Sequence, residues 1–393
     1  MDVDKLRAET PGAERVVHLN NCGASLMPQP VLDAVINHLR LEAEIGGYEA
    51  EAAAAEALAN TYGALARLLN CHSDEIAVME NATVAWDMAF YGLPLGKGDV
   101  VLTAVSEYAS NYIAYLQRAK RDGIQVRVVP NDNSGQTDVA ALEEMIDDRV
   151  KLIAITHAPT NGGLINPAAA IGKVARAANV PYLLDACQSA GQMPLDVEAI
   201  GCDMLTAAGR KFLRGPRGTG FLYVRAGMLD RLDPPFLDLH AAVWLSPEHY
   251  EMRPDARRFE NWENYVAGKI GLGVAVDYAL NIGLDAIAQR VQGLAGDLRA
   301  RISTLPGVIV QDLGVEKSGI ISFLVADMPP DDVARTMAAA GINISTSSAS
   351  STMQDMHCRG IIKMNRMGVH YYNTIEEIKY FINTLFRTTK GKL

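Results

Sequence analysis

No stretch of this 393-residue chain approaches the roughly 20 consecutive apolar residues that a bilayer crossing needs. The first residues, Met1 to Arg15, are charged and hold no apolar leader, so export is not expected and a cytoplasmic setting is. Cysteine is sparse. Its five copies (Cys22, Cys71, Cys187, Cys202, Cys358) are odd in number and never fall in C-x-x-C spacing, which speaks against a disulfide framework or structural zinc and suits reduced thiols. The net charge of -10 comes without a basic block, so neither nucleic acid nor an anionic membrane is expected as a partner. Internal repeats, low-complexity tracts and flexible linkers are missing. So are a G-x-x-x-x-G-K-S/T loop and an H-E-x-x-H pair, which removes the parts for nucleotide hydrolysis and zinc proteolysis.

What is present is aliphatic bulk: 49% of residues are hydrophobic, and the length favours two or three lobes. Apolar runs at Val100 to Thr103, Val126 to Val129, Leu152 to Thr156, Pro181 to Leu184 and Phe221 to Val224 alternate with amphipathic helical stretches. That alternation predicts an α/β lobe built on a mostly parallel sheet. Ala50 to Leu69, rich in Ala, Glu and Leu, suits one long helix leading into it. From Val266 to Leu305 the pattern turns helical. A smaller α+β lobe should follow, with strands near Val308 to Gln311, Gly319 to Val325, Asn343 to Ser345 and Ile361 to Asn365. Its helices should cover Asp331 to Ala340 and Thr374 to Phe386, the second opened by a Thr374/Glu377 capping box. The expected organisation is an N-terminal arm over 1–15, a large domain over 16–265, and a small C-terminal domain over 266–393 that the N-terminal segment could join. Pro234-Pro235 and Trp244 to Arg258 read as a loop excursion.

The chemistry concentrates at strand ends. One apolar strand delivers Asp185 to its C-terminal tip, and a second, Asp203 to Thr206, ends just before Gly209-Arg-Lys211. Such tips converge on the ligand crevice of open α/β sheets. A carboxylate and a lysine there suit pyridoxal phosphate: Asp185 would keep its pyridine nitrogen protonated and Lys211 would carry it as an imine. Either residue alone would be better read as a helix cap or a surface lysine. Asn81-Ala82-Thr83 precedes a helical run, so backbone amides and the Thr83 hydroxyl would meet a phosphate at a helix N-terminus, although such residues also serve as plain caps. Tyr108 could lie against the cofactor ring or simply pack. Asn161 or Thr160, in His157-Ala-Pro-Thr-Asn-Gly-Gly163, offers a polar contact or part of a turn. Gln188, one turn beyond Asp185, could donate to the ring's phenolic oxygen. Arg210 adds positive charge for phosphate, while Arg214 and Arg217 could do so or coat the surface. Arg366, ending a mostly apolar strand, could clamp a substrate carboxylate or pair with an acidic neighbour. A nicotinamide enzyme is disfavoured because Gly215-Pro-Arg-Gly-Thr-Gly220 leads into a strand instead of following one.

These motifs, together with His18-Leu-Asn-Asn21-Cys-Gly-Ala, Glu107-Tyr-Ala-Ser-Asn111, Asp185-Ala-Cys-Gln188, Arg258-Phe-Glu260 and Val369-His-Tyr-Tyr-Asn-Thr374, run in an order that resembles the class V aminotransferase family over nearly the whole chain. That family includes cysteine desulfurases, selenocysteine lyases and isopenicillin N epimerases. The resemblance implies the type I, aspartate aminotransferase-like fold and a homodimer with sites near the subunit interface. It makes Lys211 the Schiff-base lysine, Asp185 the pyridine-nitrogen partner and Gln188 the ring-oxygen contact. Ala82 and Thr83 fall on the phosphate, Tyr108 on the ring-stacking position usually held by histidine, and Arg366 and Asn21 on the substrate.

Four departures accompany the match. Where desulfurases carry a persulfide-forming cysteine on a mobile loop, this chain reads Ser345-Thr-Ser-Ser-Ala-Ser350-Ser-Thr352, and a hydroxyl cannot accept sulfur as a thiolate does. Ala208-Gly-Arg-Lys211 replaces Ser-x-His-Lys. Glu260-Asn-Trp-Glu-Asn264-Tyr265 replaces the Gly-Thr with which the partner subunit touches phosphate, leaving Asn264 as the substitute. Tyr108 in place of histidine removes a proton shuttle. The expectation is an enzyme that abstracts an amino acid's alpha proton with Lys211, leading to transamination or epimerisation, with C-S elimination from a cysteine derivative as the alternative. A non-catalytic descendant of the fold would have no reason to keep Lys211, Asp185 and Arg366 together.

Overall fold

The computed structural model describes residues 1–390. Its centre is a seven-stranded sheet formed by Ile76–Met79 (β1), Val100–Ala104 (β2), Gln125–Val129 (β3), Val150–Thr156 (β4), Tyr182–Asp185 (β5), Met204–Ala208 (β6) and Gly220–Val224 (β7), in the order β1-β7-β6-β5-β4-β2-β3. Neighbours run parallel except for β7, which is antiparallel to both β1 and β6. Every residue of β2, β6 and β7 is buried, as expected when helices cover both faces of a sheet. The α/β, fold type I expectation holds. Strand β1 was not anticipated: four residues between Glu75 and Glu80 are too short to show a period.

The single helix expected over Ala50 to Leu69 is two, Gly47–Ala53 and Ala55–Leu69, with Ala54 leaving helical geometry at φ -95 and ψ 11. Propensity favours helix on both sides of the break, but packing secures mainly the second half, which buries seven residues from Thr61 on against Ala50 alone in the first. Helix Val266–Ile282 bridges the two lobes, sending Leu272 and Val276 into the large-lobe core and Ala279, with Tyr278 and Ile282, into the small one. Glycines permit this close seating: a Cβ on Gly271 would stand 2.5 Å from Val35 Cγ2, and one on Gly273 2.4 Å from Thr61 Oγ1.

The small lobe holds a four-stranded antiparallel sheet of Val308–Val310 (β8), Ile320–Val325 (β9), Ser345–Ser348 (β10) and Lys363–Gly368 (β11), ordered β8-β9-β11-β10. The strand expected at Asn343 to Ser345 is divided: Ile342–Asn343 instead pairs in parallel with Val17–His18. Leu6, Ala13 and Leu19 bury into this lobe's core, so the N-terminal segment packs here. The capping box is formed as expected, with Thr374 Oγ1 accepting from the Glu377 amide at 3.2 Å and Glu377 Oε2 from the Thr374 amide at 3.1 Å. Within the predicted loop excursion lies a hairpin, Ala242–Ser246 with His249–Met252, carrying exposed Val243, Trp244, Leu245 and Tyr250. Among the described residues no single helix is long and apolar enough to cross a membrane.

Candidate functional site

The carboxyl ends of β5 and β6 open onto a cavity of about 270 Å³. Asn81, Ala82, Thr83, Tyr108, Asn111, Asp185, Arg210, Lys211 and Arg217 line it, so most of the anticipated constellation converges there. Local hydrogen bonds shape the lysine loop: Gly209 N donates to Thr219 O at 3.0 Å, Gly215 N to Gly209 O at 2.8 Å and Arg214 N to Lys211 O at 3.0 Å. Helix Ala82–Gly92 points its start into the same space. Asn81 Oδ1 accepts from the Val84 amide at 3.0 Å, and the remaining first-turn amides have no partner within the helix. Gly220 lets β7 approach this helix start, since a Cβ there would lie 2.7 Å from Asn81 C and 2.9 Å from Ala82 N.

Asp185 is nearly buried. Its Oδ1 accepts from the Cys187 amide at 2.8 Å and its Oδ2 from Asn111 Nδ2 at 3.0 Å. Asn111 also donates to Glu107 Oε1 at 2.9 Å. Behind it, the buried Glu107 collects Thr103, Thr156, Tyr115 and the Tyr108 amide as further donors. Burial, together with the charge of Asp185, pushes the Glu107 carboxyl up to about 7 against the pull of its hydroxyl and amide donors. Burial, then Asp185, raises the Cys187 thiol on the cavity wall to about 12.

Other anticipated residues stand elsewhere. Asn161 turns away from the cavity and donates to Asp355 Oδ2 at 2.6 Å; its neighbour Thr160 holds the inward position. Thr160 Oγ1 accepts from Gln188 Nε2 at 3.3 Å and from Arg366 Nη1 at 2.8 Å. Gln188 lies just behind the wall formed by Cys187. Its amide donates to Cys22 O at 3.0 Å, while its Oε1 is buried without a partner. Arg366 also donates to Thr160 O at 2.9 Å and, through Nε, to Ser345 Oγ at 3.2 Å. No ion pair occupies Arg366 among the described residues, so the acidic-neighbour reading does not apply. Asn21 does not line the cavity. It is fully buried, its amide donating to Gly368 O at 2.8 Å and His18 O at 3.2 Å, its oxygen accepting from Tyr372. Asn264 lines the adjoining crevice, which shares Glu80, Gly218 and Thr219 with the cavity, and donates to Trp262 O at 3.0 Å.

Arg214 neither coats the surface nor meets a phosphate. It is 1% exposed, held at φ 61, and donates to Leu26 O, Tyr371 Oη and Thr10 Oγ1 at 2.8, 2.8 and 2.6 Å. Its guanidinium lies 4.5 Å from the Tyr372 ring centre, so aromatic faces compensate its charge where no carboxylate does. His370 Nε2 meets Phe212 O at 3.0 Å. These contacts bolt the lysine loop to the segment after β11 and thereby hold Lys211 and Arg366 in a common frame. Sequence reading missed Asn111 and Glu107 as members of the site, and named Thr160 only as an alternative to Asn161. The first two were visible in the Glu107 to Asn111 motif, but nothing local reveals the bond from Asn111 to a residue 74 positions away.

The walls suit pyridoxal phosphate. A helix start with three cations (Arg210, Lys211, Arg217) fits its phosphate and aldehyde, Asp185 fits its ring nitrogen and Tyr108 offers an aromatic face, while Gln188, its amide hydrogens spent on Cys22 O and Thr160 Oγ1, has only an accepting oxygen left. A family model described as Aminotransferase class-V matches residues 17–381. A probable cysteine desulfurase from Methanothermobacter thermautotrophicus is 31% identical over 391 residues, covering 98% of each chain. The apo structure of a cysteine desulfurase from Thermococcus onnurineus NA1 superposes with TM-score 0.92 at 25% identity, over 99% of this chain and 98% of its own. A C-DES mutant with glycine covalently linked to its PLP cofactor gives 0.87 at 23% identity, over 97% and 98%. With its fold, its lysine and aspartate at one cavity and these likenesses in agreement, the chain belongs to the class V aminotransferase family and is a pyridoxal phosphate-dependent enzyme.

Proposed function

We propose that the protein is a C-S lyase that eliminates the sulfur substituent from the beta carbon of a cysteine derivative and releases it, without holding a persulfide. The observation that carries this reading is the serine run. Ser345–Ser348 is an ordered strand paired with β11, Ser345 opposite Arg366, and Ser350 continues it with its hydroxyl 2.6 Å from Ser348 Oγ. No thiol stands in that run. Cys187 lines the cavity, but at about 12 its thiol stays protonated near neutral pH and is a poor sulfur acceptor. Cys358 ends the next helix, exposed.

The cofactor, when bound, supplies an electron sink that acidifies the substrate's alpha carbon. Arg366, oriented by Thr160 and Ser345, binds the alpha-carboxylate. The Lys211 amine takes the alpha proton, and Asp185 keeps the ring nitrogen protonated. As the proton leaves, the beta C-S bond breaks and its electron pair departs with sulfur as thiolate. The remaining aminoacrylate takes up water to give pyruvate and ammonium. The name of the 31% identical relative supports a cysteine-type substrate and a lyase-type reaction over transamination or epimerisation.

We further infer a homodimer: exposed Tyr48, Trp262 and Tyr265 surround a crevice that shares Asn264 and Tyr265 with the one adjoining the cofactor cavity. The deciding experiment incubates the enzyme with L-cysteine, L-cystine and S-alkylcysteines. Pyruvate and ammonium in equal amounts, unchanged in Cys358→Ala, are expected. Alanine as the product indicates desulfuration, and D-enantiomer or a keto acid that depends on an amino acceptor indicates epimerisation or transamination; each of these refutes the proposal.

A further inference from the structure

We propose that Glu107 is a positioning residue that acts through Asn111 to orient Asp185 toward the cofactor's ring nitrogen. Asn111 lines the cavity and sends its amide nitrogen to both carboxylates, 2.9 Å to Glu107 Oε1 and 3.0 Å to Asp185 Oδ2. Ionised carboxylates only accept, so this pair of acceptors dictates which way the Asn111 amide faces. Asp185 has one oxygen tied to its own loop by the Cys187 amide, and Asn111 holds the other. Without the bridge, that second oxygen is free to swing.

Glu107 is itself fixed from several directions. Thr103 from β2 donates at 2.8 Å and Thr156 from β4 at 2.5 Å. Tyr115, from helix Ala109–Asp122, donates at 3.2 Å. Its Oε1 also receives the Tyr108 amide at 2.7 Å, so the same carboxylate sets the backbone of the residue whose ring faces the cavity. All of these donors are neutral, and no cation pairs with Glu107 among the described residues. The arrangement therefore fixes direction and does not neutralise charge: five neutral donors hold Glu107, and Glu107 in turn holds the Asn111 amide against Asp185.

The probe is 4′-deoxypyridoxine 5′-phosphate, which keeps the ring nitrogen and phosphate but has no aldehyde, so Lys211 bonding does not enter the measurement. Glu107→Gln in the full chain is expected to weaken its binding roughly tenfold and to lower kcat by a similar factor with KM little changed. Combining it with Asp185→Asn is expected to cost no further affinity, because the effect travels through Asp185. Additive losses in the double variant, or analogue binding by Glu107→Gln within about twofold of the parent, overturn the proposal. Should Glu107→Gln not fold, Asn111→Ala breaks the bridge and leaves Glu107 its other four donors. Unchanged analogue affinity in that variant equally overturns it.

Discussion

Truncating Arg366 tests how the substrate is held. Its guanidinium is oriented before any substrate arrives: Nη1 by Thr160 O and Oγ1 at 2.9 and 2.8 Å, Nε by Ser345 Oγ at 3.2 Å. Of the five coplanar N–H groups, the two on Nη2 remain for a carboxylate. A charged hydrogen bond contributes about 1.5–3 kcal/mol, so losing the pair should cost about 3–6 kcal/mol. At 1.4 kcal/mol per tenfold, kcat/KM should fall by about 10² to 10⁴ for every alpha-carboxylate substrate in Arg366→Ala. Most of the loss should appear in KM, because Lys211 and Asp185 lie on other elements. Arg366→Lys keeps the charge but has no planar fork to satisfy Thr160, Ser345 and a carboxylate together, and should recover only part of the loss. Steady-state kinetics over a panel of amino acids, with the cofactor absorbance recorded on the same samples, provides the assay. Unchanged kinetics with full cofactor, or an equal loss on substrates lacking a carboxylate, would refute this role.

Lys211→Ala should abolish the yellow absorbance of the purified enzyme and its turnover, because the cavity then has no amine to join the cofactor; a variant that stays yellow after dialysis contradicts the assignment. A second test concerns stability. Glu260 is buried, accepting from Lys269 Nζ, Tyr62 Oη and the Val78 amide, each at 2.8 Å. Burial works against its charge, yet the nearby His240 and the Lys269 ammonium hold its carboxyl down at about 2. A depressed folded-state value contributes stability that is fully present above pH ~4.5 and is lost as pH falls toward 2. Denaturant unfolding should thus show a slope in that window that Glu260→Gln flattens, and Lys269→Met, which strands the carboxylate, should cost about 3 kcal/mol at neutral pH. A neutral effect of Lys269→Met would mean the pair is solvated.

Legibility followed locality. Asp185, Lys211, Arg210, Thr83 and Tyr108 could be placed from sequence because each follows directly on a strand or begins a helix, and their strands end on one edge of a parallel sheet. The choice between Thr160 and Asn161 could not, since adjacent residues of a turn face opposite ways and only the position of Asp355, 194 residues on from Asn161, decides which one is drawn aside. The surroundings of Asn21 were hidden for the same reason: its partners Gly368 and Tyr372 arrive from the far end of the chain. Arg214 read as a phosphate cation or a surface charge until three tyrosines and three oxygens, from the N-terminal segment, helix Val266–Ile282 and the segment after β11, closed around it.

The amino-acid order alone determined most of the strands and helices, short Ile76–Met79 and the break at Ala54 apart, and which side chains they carry to the sheet's edge, because hydrophobic period, capping residues and turn chemistry act over a few neighbours. Only the tertiary structure decided which of those side chains remain available for chemistry. A polar group's role depends on whether a distant segment already satisfies its hydrogen bonds, as for Asn21 and Asn161, or leaves them for a ligand, as for Arg366 and Gln188.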